Sequence, residues 1–251
     1  MNDIVDILVR ELDVNEKYIN NVIELLDSGN TVPFIARYRK ELTGGMSDVT
    51  LRKLAERLTY LRNLKARKED VIRIIEEQGK LTEELKKSLE NCNTLTEVED
   101  LYRPYKPKKR TRAIIAKEKG LEPLAQIMLD GNFKGNIEEY AEKFVNEEKG
   151  VNSIEDALLG AMDIISEIIS DEAKYRKWIR KFVQDNGNIE TRGENDEPNP
   201  YEMYYDYHET VKSIPPHRIL AINRGEKEKI LSVKITCDMD KVIKYLKGEC
   251  L

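Results

Sequence analysis

Positive side chains are concentrated in one short stretch of this chain, residues 101–113, which reads LYRPYKPKKRTRA. Residues 103–112 contain six lysines and arginines among ten positions and no acid. Such side chains donate hydrogen bonds to phosphate oxygens, and the rings of Tyr102 and Tyr105 could stack on bases. The stretch is therefore either a nucleic-acid-binding surface or a connector neutralised by carboxylates of the same protein.

The element that must position these side chains is a loop, because Pro104 and Pro107 would break a helix interior. The sequence predicts an extended, exposed connector between two helices. The acids just before it, Glu97, Glu99 and Asp100, are expected to belong to a helix cap and its exposed face. The candidate nucleic-acid-binding residues are Arg103, Tyr105, Lys106, Lys108, Lys109, Arg110 and Arg112.

A second basic group lies in the segment PFIARYRKE, residues 33–41. Its cations are Arg37, Arg39 and Lys40. The apolar residues beside them, which the pattern predicts to be buried, are Phe34, Ile35 and Tyr38. Because arginines next to a buried face often pair internally, this group is expected to be mostly structural.

The residue types needed for catalysis or metal binding do not occur at useful spacing. His208 and His217 are the two histidines, and neither lies in an HxxxH pair or beside a cysteine at metal spacing. The cysteines, Cys92, Cys237 and Cys250, lack any CxxC spacing, which indicates a reducing cytoplasm and argues against a cysteine zinc site. No P-loop, GxGxxG or GxSxG motif is present. We predict no catalytic residue, no metal site, no cofactor and no enzymatic activity.

Composition limits how such a protein could attract nucleic acid. Across 251 residues the formal net charge is -5, so any binding to phosphate must come from a local patch. A hydrophobic share of 40% with 35% charged residues is typical of a helical globular protein. No apolar run approaches the roughly 20 residues of a membrane span, so no membrane partner and a cytoplasmic location are predicted.

Helical periodicity organises most of the chain. Two helices open it, the second after a cap at Asn15, and a third short helix begins near Pro33. Ser47 is expected to cap the longest periodic segment, which runs to about Gly79 as one helix or as two joined near Arg67. Further expected helix caps are Thr82, Thr94, Thr111, Asn136, Ser153 and Asp171.

After Gly187 the chain becomes polar and rich in tyrosine. Residues 229–237, KILSVKITC, alternate and are β-branched, which predicts a strand. That strand either pairs with residues 187–192 or opens a domain whose remainder is absent, and a turn is expected at Arg224 and Gly225. We predict a mainly α fold, a multi-helical bundle with helix-turn-helix-like elements in residues 1–186 and a small mixed α/β tail in 187–251.

Several long motifs resemble the N-terminal region of the bacterial Tex family of transcription accessory proteins, in the same order and spacing. They are TVPFIARYRKELTGGMSD (31–48), EEQGKLTEEL (76–85), EDLYRPYKPKKRTRA (99–113), KEKGLEPLA (117–125) and PPHRILAINRGEKEKIL (215–231). The resemblance implies a multidomain nucleic-acid-binding protein linked to transcription. It also implies RNase H-like, helix-hairpin-helix and OB-fold domains, which do not follow here, so an N-terminal fragment or a truncated relative is expected.

Two functions remain open at this level. The first is a non-catalytic nucleic-acid-binding module of a Tex-like protein, which contacts the phosphate backbone of RNA or DNA, independently of sequence, through residues 103–112. The second is a scaffold that positions downstream domains or contacts the transcription machinery. A nuclease would require metal-dependent cleavage, which is not expected.

Overall fold

The computed structural model describes residues 4–130, 133–194 and 198–250, and in these ranges the protein is mainly helical. Thirteen α-helices and a three-stranded sheet make up the described elements, which confirms the predicted fold class. The chain divides into two compact units, Met1–Tyr105 and Lys106–Leu251. Helix gives way to strand after Asn186. The division into domains 1–186 and 187–251 stays a prediction.

The first unit is entirely helical in its described residues. Its helices are α1 Ile4–Leu12, α2 Glu16–Asp27, α3 Val32–Tyr38, α4 Asp48–Glu77, α5 Glu83–Glu90 and α6 Leu95–Tyr102. The predicted caps form: Asn15 Oδ1 accepts the Lys17 N–H at 3.0 Å, and Ser47 Oγ accepts the Thr50 N–H at 3.1 Å. The long segment after Ser47 is one helix of 30 residues.

Helix α4 organises two hydrophobic cores. Its N-terminal half buries Leu51, Leu54 and Leu58 against α1, α2 and α3. Its C-terminal half buries Val71 and Ile75 against α5 and α6. A single stripe of leucine, isoleucine and valine therefore holds all six helices of this unit together.

Charged pairs also join the first two helices to α4. Arg57 donates to both carboxylate oxygens of Glu11 at 2.7 Å, and Arg62 donates to both oxygens of Asp27 at 2.7 and 2.8 Å. Hydrogen bonds from Arg57 lower the pKa of Glu11 below its ordinary value of 4.5. These two-point contacts hold α1 and α2 against α4.

The second unit combines a helical core with a small sheet. Its helices are α7 Arg112–Glu118, α8 Glu122–Leu129, α9 Ile137–Ala141, α10 Ile154–Asp171, α11 Ala173–Asn186, α12 Pro216–Lys227 and α13 Met239–Cys250. Helix α10 lies at the centre and packs on α7, α8 and α9. A Cβ at Gly160 would lie 2.3 Å from Leu121 Cδ1, so the missing side chain permits this close packing.

One predicted helix cap in this unit is wrong. Asp171 was expected to start a helix, but it is the last residue of α10. Glu172 adopts the extended conformation and caps α11 instead, accepting the Lys174 N–H at 3.3 Å. The helix boundary thus falls one residue later than the sequence predicts, which leaves the Asp171 carboxylate available for a tertiary contact.

The sheet consists of β1 Asn188–Gly193, β2 Asp206–Thr210 and β3 Leu231–Thr236, in the order β2-β1-β3 with antiparallel pairs. The predicted strand β3 pairs with β1, which confirms the local alternative. Strand β2, in the tyrosine-rich segment, and helix α13 were not predicted.

The expected turn at Arg224 and Gly225 is wrong, because both residues lie inside α12. Gly225 serves packing instead: a Cβ there would lie 2.7 Å from Leu231 Cδ1. Over the residues that the structure describes, no helix combines the length and the apolar character needed to cross a membrane.

Candidate nucleic-acid interface

The basic stretch lies between α6 and α7 and contains little regular structure. Residues Arg103–Tyr105 form one 3₁₀ turn, residues 106–111 are irregular, and Arg112 begins α7. Residues 106–111 are thus non-helical, as predicted, whereas Arg103–Tyr105 continue α6 as one 3₁₀ turn. Thr111 Oγ1 accepts the Ile114 N–H at 3.2 Å and so fixes the start of α7.

Lys108 is the one lysine of this connector seen to turn inward. Its Nζ donates to Asp171 and lies 3.3 Å from Glu167 Oε1. The three side chains are 25%, 10% and 18% exposed, respectively. Thr111 Oγ1 also donates to Glu167 Oε1 at 2.9 Å. Lys108 and Thr111 therefore attach the connector to the C-terminal end of α10.

Two arginines, one in the connector and one at the start of α7, form ion pairs that remain open to solvent. Arg110 Nη2 lies 2.9 Å from Glu118 Oε2, with both side chains more than half exposed. Arg112 Nε lies 3.6 Å from Asp163 Oδ1, and the arginine side chain is 87% exposed. Because exposed pairs contribute only about 0–1 kcal/mol, either arginine can exchange its carboxylate for a phosphate at small cost.

The remaining lysines of the connector project into solvent. Lys106 and Lys109 are exposed and make no ion pair within the described part of the chain. Together with Arg110 and Arg112 they form a cationic surface, which we call the connector surface. Arg103 is also exposed, on the preceding 3₁₀ turn of the first unit.

The two tyrosines are less accessible than their sequence position suggests. Tyr102 is only 6% exposed, and the Arg67 guanidinium carbon lies 5.3 Å from its ring centroid, so the expectation that this ring stacks on bases is wrong. Tyr105 is partly buried against the core that α4 forms with α5 and α6, and its carbonyl accepts the Gln78 side-chain N–H at 3.1 Å. Base stacking by Tyr105 stays a prediction.

The acids before the connector hold α6 in place. Glu97 accepts the Asn93 N–H at 2.9 Å, and Arg67 Nε donates to Glu99 Oε1 at 2.6 Å. Asp100 is 5% exposed, so it is not on the predicted exposed face. No group of three histidine, cysteine or acidic side chains suited to a metal ion occurs among the residues that the structure places.

The second basic group differs from its predicted environment. Ile35 is buried, as expected, but Phe34 is 37% and Tyr38 55% exposed. Within the described ranges, Arg37 and Lys40 make no ion pair, so internal neutralisation does not account for this group. With seven residues, α3 packs only one face on α2 and α4.

The sequence analysis did not identify Glu167 and Asp171 as partners of Lys108. The available signal was their four-residue spacing on α10.

Comparison with known protein families gives two matches. The Tex-like protein N-terminal domain matches residues 2–76, and the Tex central region-like family matches residues 133–248. Together these matches include α1 to α3 and most of α4 in the first unit, and α9 to α12 with the whole sheet in the second.

Individual relatives align with almost the whole chain. YdcI of Bacillus subtilis (strain 168) is 48% identical over 248 residues, covering 97% of this chain and 34% of that protein. The transcriptional accessory protein Tex of Neisseria gonorrhoeae is 43% identical over 241 residues, covering 95% and 31%. A more distant human relative, S1 RNA-binding domain-containing protein 1, is 30% identical over 243 residues, covering 93% and 24%.

The chain spans a third or less of the length of the Tex and S1-domain relatives and 34% of YdcI. One family match lies in each compact unit, and together they include the first and the last of the five motifs, residues 31–48 and 215–231. The chain therefore belongs to the Tex family and carries that family's N-terminal and central regions.

Proposed function

We propose that this chain is a non-catalytic nucleic-acid-binding module of a Tex-family transcription accessory protein. It contacts the phosphate backbone of RNA or DNA, independently of sequence, through residues 103–112. The observation that carries the proposal is the connector surface, a set of exposed cations on a segment that Lys108 attaches to α10. The relatives' names, one a transcriptional accessory protein and one with an S1 RNA-binding domain, support the same function.

Electrostatics requires such a local surface. The chain as a whole is acidic, so long-range attraction to a polyanion is absent and close contact must supply the affinity. Each phosphate neutralised releases counterions, which lowers log K by about 0.7 per tenfold rise in salt for single strands and about 0.9 for duplex DNA. Four connector cations would give a slope of about -3 on single-stranded nucleic acid.

Lys108 has a different role in this proposal. Because it is paired with Asp171 and Glu167, it holds the connector in place and does not contact the ligand. A connector already held in one conformation loses less entropy when it binds. Reversing the charge of Lys108 would therefore test the fold, and the exposed lysines are the correct sites for a binding test.

A second candidate function is a scaffold that positions downstream domains or contacts the transcription machinery. The internal pairing of Lys108 favours it, since this part of the basic cluster serves the fold. The greater length of the relatives also favours it, because they contain further regions to be positioned. In this case the exposed connector cations would be solubilising and substitution would leave nucleic-acid affinity unchanged.

The test is binding of labelled single-stranded RNA, single-stranded DNA and duplex DNA across a salt series, measured by fluorescence anisotropy. The variant carries Lys106→Glu and Lys109→Glu, which removes two exposed cations without breaking a described ion pair. The control carries Lys227→Glu and Lys244→Glu, two exposed lysines of α12 and α13 that likewise make no described ion pair.

We expect the connector variant to bind more weakly with a shallower salt slope, while the control variant, of the same net charge, binds like the parent. Equal binding by the parent and the connector variant would contradict the phosphate-contact role and favour the scaffold. Incubation of the same nucleic acids with Mg²⁺ should leave them intact, and cleavage that copurifies with the protein would contradict the non-catalytic assignment.

A further inference from the structure

Helix α3 presents two aromatic rings side by side to solvent. Phe34 and Tyr38 lie one helical turn apart, and their ring centroids are 5.1 Å apart with an angle of 48° between the planes. Both are more than a third exposed, although the neighbouring Ile35 is fully buried. Paired exposed rings of this kind offer flat apolar faces to a ligand.

Cations surround these two rings. The Arg39 guanidinium carbon lies 5.3 Å from the Phe34 ring centroid, and that of Arg37 lies 6.0 Å from the Tyr38 centroid. Lys40, the next residue after Arg39 in the chain, is exposed. Residues 31–47 contain a single acid, Glu41, and none of the three cations makes an ion pair in the part of the chain that the structure covers. The α3 patch, as we call Phe34, Arg37, Tyr38, Arg39 and Lys40, is therefore strongly positive.

The turn that follows α3 fixes the patch in advance. The buried Thr43 donates its N–H to the Arg39 carbonyl at 3.2 Å and its hydroxyl to the Lys40 carbonyl at 3.1 Å. Asn21 of α2 donates to the Leu42 carbonyl at 2.8 Å. The backbone that carries the cations is thus held against α2 before any ligand arrives, which lowers the entropic cost of binding.

We propose that the α3 patch is a binding site for single-stranded nucleic acid, with unpaired bases stacked on Phe34 and Tyr38 and the three cations on adjacent phosphates. The excess of positive charge favours a polyanion, and the ring faces favour flat bases. A duplex hides its base faces in the helical stack, so the site prefers single strands. This site consists of residues of the first unit, whereas the connector lysines belong to the second.

The test uses fluorescein-labelled oligouridine of about 12 nucleotides, which is within the usual span of a single-strand site. The ring variant carries Phe34→Leu and Tyr38→Leu, which keeps apolar side chains but removes the stacking faces. The control, Val49→Ala, truncates an apolar side chain that is 61% exposed and not aromatic. Circular dichroism and thermal unfolding establish that each variant is folded.

We expect the ring variant to lose at least about tenfold in affinity, because each stacked base contributes a factor of this order, while Val49→Ala binds like the parent. An abasic oligonucleotide of equal length should bind the parent and the ring variant equally. A cation variant, Arg37→Gln with Lys40→Gln, should make the salt slope shallower by about 1.4. A folded ring variant with parental affinity for oligouridine would overturn the proposal.

The connector variant Lys106→Glu with Lys109→Glu separates this proposal from the proposed function. Loss of oligouridine binding in the ring variant but not in the connector variant supports the α3 patch and refutes the connector site. Loss of oligouridine binding in the connector variant but not in the ring variant supports the connector site and refutes the α3 patch. A parent that binds no oligouridine at low salt refutes the α3 patch, and an interaction with a protein partner would then explain the exposed rings.

Discussion

Replacement of Lys108 by methionine tests the contact that holds the connector to α10. Methionine keeps a long apolar stem but removes the charge that faces Asp171 and Glu167. At 3.3 Å and an effective dielectric constant of about 20, the attraction of Lys108 to Glu167 alone is about 5 kcal/mol before desolvation. Exposed pairs yield a net of about 0–1 kcal/mol, and breaking a buried pair costs about 3–5 kcal/mol. For a lysine that is 25% exposed we expect a loss of about 2 kcal/mol.

Trp178 gives a suitable signal for this experiment. It is the single tryptophan of the chain, it lies on α11 of the same unit, and its ring stacks on Tyr245 with centroids 3.7 Å apart. Its fluorescence during urea unfolding should show the midpoint falling by about 1 M in Lys108→Met, given a slope of about 2 kcal/mol per molar urea. Lys109→Met, at the neighbouring exposed position, should change stability by less than about 0.5 kcal/mol.

A double-mutant cycle isolates the pair itself. Combining Lys108→Met with Asp171→Asn should cost less than the sum of the two single changes, with a coupling of at least about 1 kcal/mol. Equal midpoints for Lys108→Met and Lys109→Met, or a coupling near zero, would refute the conclusion that Lys108 anchors the connector.

Three further predictions concern packing and pH. Gly44→Ala should destabilise the protein by about 2 kcal/mol or more, because φ is +62° and the new Cβ would lie 2.5 Å from the Tyr18 ring. Gly45→Ala should cost about 1 kcal/mol, because φ is +76° but no atom lies near the new Cβ. Equal losses of stability in thermal unfolding would contradict this prediction. Gly160→Ala should lower the thermal midpoint despite the better helix propensity of alanine, because its Cβ would meet Leu121, and a raised midpoint would show that the α8–α10 contact can relax. Arg57 lowers the pKa of Glu11 in the folded protein, so the contribution of Glu11 to stability is present above about pH 4.5 and is lost as pH falls through the folded pKa. The difference in unfolding free energy between the parent and Glu11→Gln, measured by urea titration with circular dichroism, should therefore shrink as pH falls. A difference that grows in acid would contradict this prediction.

Local features of the fold were predictable from the sequence because they depend on neighbouring residues. Asn15 and Ser47 cap their helices through hydrogen bonds to residues two or three positions away, so the sequence alone identifies them. The alternation of residues 229–237 likewise predicted β3. Strand β2 was not predictable, because polar and apolar residues alternate only weakly in its tyrosine-rich segment. Its formation depends on pairing with β1.

The site was less predictable because its contacts are tertiary. The cluster of cations in residues 103–112 was evident, but the inward turn of Lys108 depends on carboxylates of α10 some 60 residues away. In the same way, the exposure of Phe34 and Tyr38 depends on which face of α3 packs against α2 and α4. A seven-residue helix is too short for periodicity to identify that face.

The most direct test of the central claim is a comparison of two adjacent single variants, Lys108→Gln and Lys109→Gln, in the salt series on single-stranded RNA and in urea unfolding. We predict that Lys109→Gln makes the salt slope shallower by about 0.7 and leaves the unfolding midpoint unchanged. Lys108→Gln should lower the unfolding midpoint and leave the slope of the folded protein unchanged. Control of the salt slope by Lys108 and of the stability by Lys109 would contradict these two roles, as would a salt slope that neither substitution alters.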